Sequence, residues 1–255
     1  MKIDQKVKDF LSANKNLINA SDFTALYELA EKKVYDRLIS QMARIFYGAG
    51  IDPLQYMTSV PVWFAKEQYL PILVIDTPDQ IEYIHPYAFA GTNVTKFIAP
   101  ASLKAIGRGA FSNCDDLTEA DFSKCHSCEE IDDYAFSNCP NLKVIKFPKS
   151  LHIISVEAFC QCTSLTSIDL SSCHELTEIK LGAFALCKDL TTVYLPNSIE
   201  HIVWSAFNTG NPLTIIFDGT QQEWESKFGE EYNKGVPGAN SWNTNPSTID
   251  IQYLR

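Results

Sequence analysis

Apolar side chains recur along the middle of the chain with a period of 22 to 25 residues. The dipeptide Ala-Phe marks each repeat, and successive phenylalanines are 22, 25, 23, 25 and 23 residues apart. The phenylalanines are Phe89, Phe111, Phe136, Phe159, Phe184 and Phe207. A period of this length is typical of a solenoid, in which each repeat forms one turn that stacks on the next.

Other apolar positions fall into register when each Phe is taken as the origin. Isoleucine stands five residues before every repeat Phe, and Leu stands six residues after five of them. Nine and eleven residues after the Phe come further apolar residues, such as Ile168 and Leu170 in the fourth copy. Alternation of this kind predicts a short parallel strand in each turn. Stacked turns then share one continuous core.

Residues eight and ten positions after each Phe are expected to point away from that core. They predict an exposed sheet face whose middle carries alternating charge, with Asp121, Lys146 and Asp169 on successive strands. At one end of the face these positions hold Tyr194 and Phe217. Large apolar side chains on an exposed face are expected to be covered, either by the C-terminal segment or by a partner. The candidate partner-binding residues are Lys96, Glu119, Asp121, Val144, Lys146, Asp169, Thr192, Tyr194, Ile215 and Phe217.

The repeat resembles the BspA-like class of leucine-rich repeats, whose turns carry the pattern I-x-x-x-A-F-x-x-C-x-x-L-x-x-I-x-L. Here the pattern reads IDDYAFSNCPNLKVIKF over residues 131–147 and IKLGAFALCKDLTTVYL over residues 179–195. The registered copies cover about residues 79–218. The resemblance implies an α+β fold built on a leucine-rich repeat solenoid. It also implies a binding surface without catalytic activity, as in bacterial and protist members of the class.

Both ends of a solenoid would expose their cores, so caps are expected. Residues 1–68 contain no repeat, and their apolar spacing predicts a helical N-terminal cap. Residues 69–218 are assigned to the solenoid, which comprises a strand-like lead-in and six Ala-Phe turns. Residues 219–255 are predicted to form a C-terminal cap.

Within the C-terminal cap the sequence predicts three elements. Trp224 and Phe228 fall on one face of a predicted helix, and Trp224 is expected to act as a hydrophobic lid. Residues 233–246 are rich in Asn, Gly and Pro and predict a loop. The alternation of Ile249 and Ile251 predicts a closing strand.

The eight cysteines follow the repeat. Four of them stand three residues after a repeat Phe, where leucine-rich repeats place Asn or Cys to bond the backbone: Cys114, Cys139, Cys162 and Cys187. Cys128 occupies a place where other turns have Ile or Leu, and Cys160 is expected at the turn surface. Cys125-His126 recurs as Cys173-His174 in the two 25-residue steps, which favours an alternative corner over a metal site.

Charge and hydropathy narrow the possible partners and location. With 21 basic and 31 acidic residues the net charge is −10, which argues against nucleic acid and favours a protein with a basic surface. The sequence contains no run of 18 apolar residues, so no membrane-spanning helix is expected. The first residues lack signal-peptide character, so a cytoplasmic location is expected. An export signal ahead of these residues would change that expectation to the cell surface.

No nucleotide-binding, zinc-protease or serine-hydrolase motif occurs, and the five histidines are spread among the corners. We therefore expect no catalytic residue, no metal and no cofactor. The leading hypothesis is a non-enzymatic bacterial interaction module that binds a partner protein on the sheet face. One alternative is a secreted or cell-surface adhesive domain. Another is a phage or mobile-element inhibitor of a host protein. The sequence indicates no oligomeric state.

Overall fold

The computed structural model describes residues 12, 59–60, 74–76, 81–203, 205–232 and 249–255. Within these residues the chain winds into a solenoid of parallel strands, as the repeat predicts. The helical region predicted over residues 1–68 lies outside the described residues except at positions 12 and 59–60. The loop predicted over residues 233–246 lies wholly outside them.

Strands are numbered in chain order, and within the repeats they alternate between two sides of the solenoid. One side is a seven-stranded parallel sheet, which we call the long sheet. Its strands are β1 (Ser59–Val60), β3 (Tyr83–Ile84), β5 (Ala105–Ile106), β7 (Glu130–Ile131), β9 (Ile153–Ile154), β11 (Glu178–Ile179) and β13 (His201–Ile202). The isoleucine column found in the sequence supplies the inward residue of every strand from β3 to β13.

The second side consists of two four-stranded sheets. The first contains β2 (Val74–Asp76), β4 (Lys96–Ile98), β6 (Glu119–Asp121) and β8 (Val144–Lys146). The second contains β10 (Ser167–Asp169), β12 (Thr192–Leu195), β14 (Leu213–Phe217) and β15 (Ile249–Tyr253). These strands include those that the alternating pattern predicts, and β15 is the predicted closing strand, parallel to β14.

Strand β1 lies in a region predicted to be helical, and there the prediction is wrong. Ser59 pairs with Tyr83 and Val60 with Ile84, which extends the long sheet by one strand ahead of the first Ala-Phe turn. Val60 is β-branched and precedes Pro61, and both features disfavour a helix at this position.

The repeat phenylalanines stack through the core. Successive ring centroids are 4.9, 5.0, 5.3, 5.2 and 5.4 Å apart, and the last four pairs are within 4° of parallel. The alanine before each Phe is fully buried, so these small side chains belong to the closely packed core. The spacing of the rings matches the spacing of the strands, so one side-chain column and one sheet share the same repeat distance.

Two residues in most turns adopt the left-handed backbone conformation, two positions before and two after the repeat Phe. They reverse the chain at the corners around the Phe. The residues before it are Tyr87, Gly109, Tyr134, Glu157, Gly182 and Ser205, and those after it are Gly91, Asn113, Asn138, Gln161 and Leu186. Because non-glycine residues rarely adopt this conformation, the stacked turns must hold it in place.

Helix α1 (Gln221–Tyr232) follows β14 and is interrupted at Gly229. The Thr220 hydroxyl accepts a hydrogen bond from the Glu223 N–H at 3.2 Å, and the Glu223 carboxylate accepts one from the Thr220 N–H at 2.7 Å. Trp224 is fully buried, with its ring centroid 5.2 Å from that of Phe217 and 4.4 Å from that of Phe228. The predicted helix and its apolar face are confirmed.

Candidate partner-binding face

The outward residues of strands β4 to β12 on the second side form a surface that we call the open face. Strand pairing confirms the register expected for it: Lys96 lies opposite Glu119, and Asp121 lies opposite Lys146. In the first copy the outward positions are shifted by one residue, as predicted, because Phe97 is the buried residue of β4. The outward residues are Lys96, Ile98, Glu119, Asp121, Val144, Lys146, Ser167, Asp169, Thr192 and Tyr194.

Four charged side chains form a network across strands β4, β6 and β8. The Lys96 ammonium lies 2.7 Å from the Glu119 carboxylate, and the Lys146 ammonium lies 3.5 Å from the same group. Lys146 also donates a hydrogen bond of 2.6 Å to Asp121. Two cations and two anions thus neutralise each other within the network, which fixes the positions of long side chains on an exposed surface.

Asp121 anchors this network at one edge. Burial alone would raise its pKa, but hydrogen bonds from Lys146 and from the Ser123 side chain and N–H outweigh burial and hold the pKa at about 2. The hydrogen bond and charge of Asp121 in turn raise the pKa of Lys146. Both groups are therefore fully charged near neutral pH.

Replacing Asp121 by asparagine is expected to lower the free energy of unfolding at pH 7 by about 1 kcal/mol, the upper range for a partly exposed ion pair. The folded-state pKa of about 2 lies below the unfolded value of about 3.9, so the stabilisation is present above pH ~4 and is lost as the pH falls toward 2. Urea unfolding at pH 7 and pH 2.5 measures this.

The matched control is Asp189→Asn, since Asp189 is exposed and forms no ion pair with any described residue. Its effect on stability at pH 7 should be close to zero. If the difference between wild type and Asp121→Asn persisted unchanged at pH 2.5, the ion pair with Lys146 would not be its source.

Strands β8 and β10 do not pair, and we call this interruption the sheet gap. The sequence predicts a ladder that continues from Lys146 to Asp169, and this part of the prediction is wrong. Asp169 forms no ion pair with a residue in the described part of the chain. Its carboxylate instead accepts hydrogen bonds from the Ser171 N–H at 3.0 Å and hydroxyl at 2.6 Å.

Ile215 and Phe217 were expected on the exposed face, but both are fully buried. The link between Phe207 and β14 is one residue shorter than in the four copies before it, so Ile215 pairs with the inward Val193 and Phe217 with Leu195. Phe217 then contacts the Trp224 ring rather than solvent. Neither residue can serve as an exposed anchor.

The outward residues of β14 are instead Thr214 and Ile216, both half-buried. Ile216 lies opposite Tyr194 and Gln252 in the neighbouring strands. Counting a constant nine residues from the repeat Phe instead predicts that Ile216 points inward. The alternation within LTIIF alone does not distinguish the two registers, since only Thr214 is polar.

The cysteine column has the structural role expected from its position. Each thiol donates a hydrogen bond to the carbonyl of the repeat Phe in the preceding turn, at 3.1 Å in all four cases. In the two Cys-His corners the thiols of Cys125 and Cys173 donate to the carbonyls of Pro100 and Pro148. These bonds give each of the six carbonyls a hydrogen bond from the next turn, so the cysteines tie neighbouring turns together.

Burial makes the thiols poor nucleophiles. It raises the pKa of Cys125 and of Cys187 to about 12, so both are protonated at neutral pH. Cys128 is fully buried in the core, as expected. Cys160, expected at the turn surface, is only 5% exposed, which corrects that expectation. All eight cysteines are free thiols.

Two further findings concern the described part of the chain. Among its residues, no group of three or more His, Cys, Asp and Glu side chains is placed to hold a metal ion. No helix among them is long and apolar enough to cross a bilayer.

Comparison with known proteins adds a family match. The protein-family model described as BspA type leucine rich repeat region matches residues 67–175 and 125–227, with six copies of the repeat. No curated protein matches this chain.

Solved structures of leucine-rich repeat proteins are similar to the chain, among them the following three. A leucine-rich repeat protein of T. pallidum is 25% identical, with 58% of this chain and 74% of that one covered and a TM-score of 0.47. A leucine-rich cell surface protein of Faecalibacterium prausnitzii is 24% identical, with coverages of 71% and 62% and a TM-score of 0.38. A leucine-rich repeat protein of Bacteroides ovatus is 21% identical, with coverages of 71% and 47% and a TM-score of 0.46. The chain spans less than two thirds of the last two.

Proposed function

Because the chain belongs to the family of BspA-type leucine-rich repeat proteins, we propose that it is a non-enzymatic module that binds a partner protein on the open face. Repeat proteins of this family generally mediate protein–protein interaction or adhesion and are generally not enzymes.

The observation that carries the proposal is the fixed charge network on an exposed sheet. Lys96, Glu119, Asp121 and Lys146 are held by one another on adjacent strands, so little side-chain entropy is lost when a partner contacts them. Val144, with 44% of its surface exposed, places an apolar group beside these charges. An apolar contact within a charged rim is the usual composition of a protein-binding surface.

A partner with a basic surface is favoured by electrostatics. The chain carries a net charge of −10, and the open face adds Asp169, whose carboxylate has no cation among the described residues. A negative field of this size accelerates the approach of a positive protein, and salt screens it. We therefore expect association to be faster at low salt than at moderate salt.

The test is affinity capture from the native cells at low and moderate salt. Wild type and the variant Asp121→Ala/Lys146→Ala/Asp169→Ala serve as baits in parallel. We expect a specific protein on wild type that is absent from the variant. The control bait is Glu82→Ala/Lys104→Ala, which removes a 3.0 Å ion pair beside the long sheet and should retain the partner. Capture of no specific protein at either salt concentration would contradict the proposal.

A further inference from the structure

The sheet gap leaves main-chain hydrogen-bonding groups of β8 and β10 without the partners that their equivalents have. In neighbouring turns the residue after the strand donates its N–H to the next turn. Phe122 donates to the Lys146 carbonyl at 2.8 Å, and Leu170 donates to the Tyr194 carbonyl at 3.0 Å. Among the described residues no such bond joins the Phe147 N–H to the Asp169 carbonyl.

The other end of the two strands is open as well. The residue before the strand normally donates to the preceding turn, as the Lys143 N–H does to the Thr118 carbonyl and the Thr191 N–H to the Thr166 carbonyl, both at 3.0 Å. No equivalent bond from the Thr166 N–H to the Lys143 carbonyl occurs in the described part of the chain. Two donors and two acceptors therefore flank the gap.

The separation is confined to β8 and β10 themselves. Before the strands the Ser164 N–H donates to the Pro140 carbonyl at 3.1 Å, and after them the Cys173 thiol donates to the Pro148 carbonyl at 3.5 Å. On the long sheet, Glu130 pairs with Ile153 and Ile131 with Ile154, so β7 and β9 stay hydrogen-bonded. In the core the rings of Phe136 and Phe159 stack at 5.3 Å, like their neighbours. The two turns remain joined behind the gap, which makes it a cleft in an intact solenoid rather than a break between two halves.

At the cleft one inward apolar side chain is less buried than its equivalents in other turns. Ile145, the inward residue of β8, is only partly buried, whereas the inward residues Ala120 and Ile168 of the neighbouring strands are fully buried. The outward residues of β8 and β10 are all exposed, in contrast to the half-buried outward residues of β6 and β12. At the cleft, Ile145 is thus less covered than the equivalent residues of the neighbouring strands.

The charge at the cleft is negative. Lys146, on the β8 edge, is already neutralised by Asp121 and Glu119. Asp169, on the β10 edge, forms no ion pair with a described residue. A cation placed between Lys146 and Asp169 along the sheet would lie next to an unneutralised carboxylate.

We propose that the sheet gap binds an extended segment of the partner protein by addition of a β-strand. Main-chain groups of that segment bond the open donors and acceptors of β8 and β10. One apolar side chain contacts Ile145, and one Lys or Arg pairs with Asp169. Addition of a strand to an unpaired sheet edge is a known way of recognising extended segments. The inference rests on the proposed function, because it assigns a binding mode and a segment type to the partner of the open face.

The test uses the full chain and the synthetic peptide acetyl-Thr-Val-Lys-Val-Thr-Val-Lys-amide. Residue-resolved amide exchange is followed by NMR. In the free protein, the amides of Phe147 and Thr166 should exchange faster than the bonded amides of Phe122 and Thr191. The peptide should slow exchange at Phe147 and Thr166. A version of the peptide with alternate backbone nitrogens methylated keeps the side chains but loses donors, and it should not bind.

A charge variant checks the assigned cation. Asp169→Asn should weaken peptide binding about 5-fold, as expected for one exposed charge pair. The control Asp250→Asn, on the exposed side of β15, should leave it unchanged. Slow exchange at Phe147 and Thr166 in the free protein, equal binding of the methylated peptide, or no peptide binding at millimolar concentration would each overturn the inference.

These outcomes are separable from failure of the proposed function. A captured partner that depends on Asp121 and Lys146 but does not protect the amides of Phe147 and Thr166 overturns the strand-addition mode alone. Absence of any partner on the open face contradicts the proposed function, whatever the peptide does.

Discussion

Replacing Phe136 by alanine is expected to lower the free energy of unfolding by about 3–5 kcal/mol, the usual cost of emptying a buried aromatic site. Phe136 is fully buried and stacks on Phe111 at 5.0 Å and on Phe159 at 5.3 Å, while its edge meets Phe122 at 6.0 Å. Because each turn of a solenoid contacts only its neighbours, a cavity here separates the turns on both sides. Urea unfolding followed by circular dichroism measures the loss.

The control for Phe136→Ala is Phe147→Ala, the same substitution at the edge of the sheet gap. Phe147 is 6% exposed, and its ring meets that of Phe159 at 5.7 Å. We expect a smaller loss of stability, because neighbouring groups and water enter an open site more easily than a closed one. Equal losses for the two variants would show that the stacked column is not the main source of cohesion between turns.

Removing the charges of Asp121, Lys146 and Asp169 together is expected to weaken partner binding by about 100-fold, equivalent to two tenfold contributions from central interface residues. The fold should remain, since exposed ion pairs contribute little to stability. Calorimetric titration with the captured partner measures the affinity, and circular dichroism checks the fold.

The control for this variant removes the Glu82–Lys104 pair beside the long sheet, whose charges lie 3.0 Å apart. Both variants remove exposed ion-paired charges, so a general electrostatic effect would weaken binding in both. A loss of affinity confined to the open-face variant assigns the partner to that face. Full affinity of the open-face variant would place the binding site elsewhere.

The solenoid itself was predictable because its information is repeated. A single Ile-Leu-Phe pattern is compatible with many structures, but six registered copies allow only a stack of equivalent turns. The sequence pattern did not predict the strands of the long sheet, although it showed the isoleucine column that they contain. Its strands from β3 to β13 are two residues long, which is too short for an alternating pattern to indicate a strand.

Two features of the open face escaped sequence reasoning for different reasons. The register of β14 depends on one residue missing after Phe207, and counting from the Phe hides such a deletion. The sheet gap leaves no mark in the columns, since Leu165, Ile168 and Leu170 occupy their usual places. It follows from how two turns diverge in space, which a residue pattern does not encode.

The most direct test of the central claim is hydroxyl-radical footprinting of the protein with and without its partner. Side chains of similar exposure lie on different parts of the solenoid: Val144 on the open face at 44%, Tyr83 on the long sheet at 45% and Leu186 at a corner at 44%. We predict that the partner protects Val144 from oxidation and leaves Tyr83 and Leu186 unchanged. Protection of Tyr83 or Leu186 with Val144 still oxidised would contradict binding on the open face.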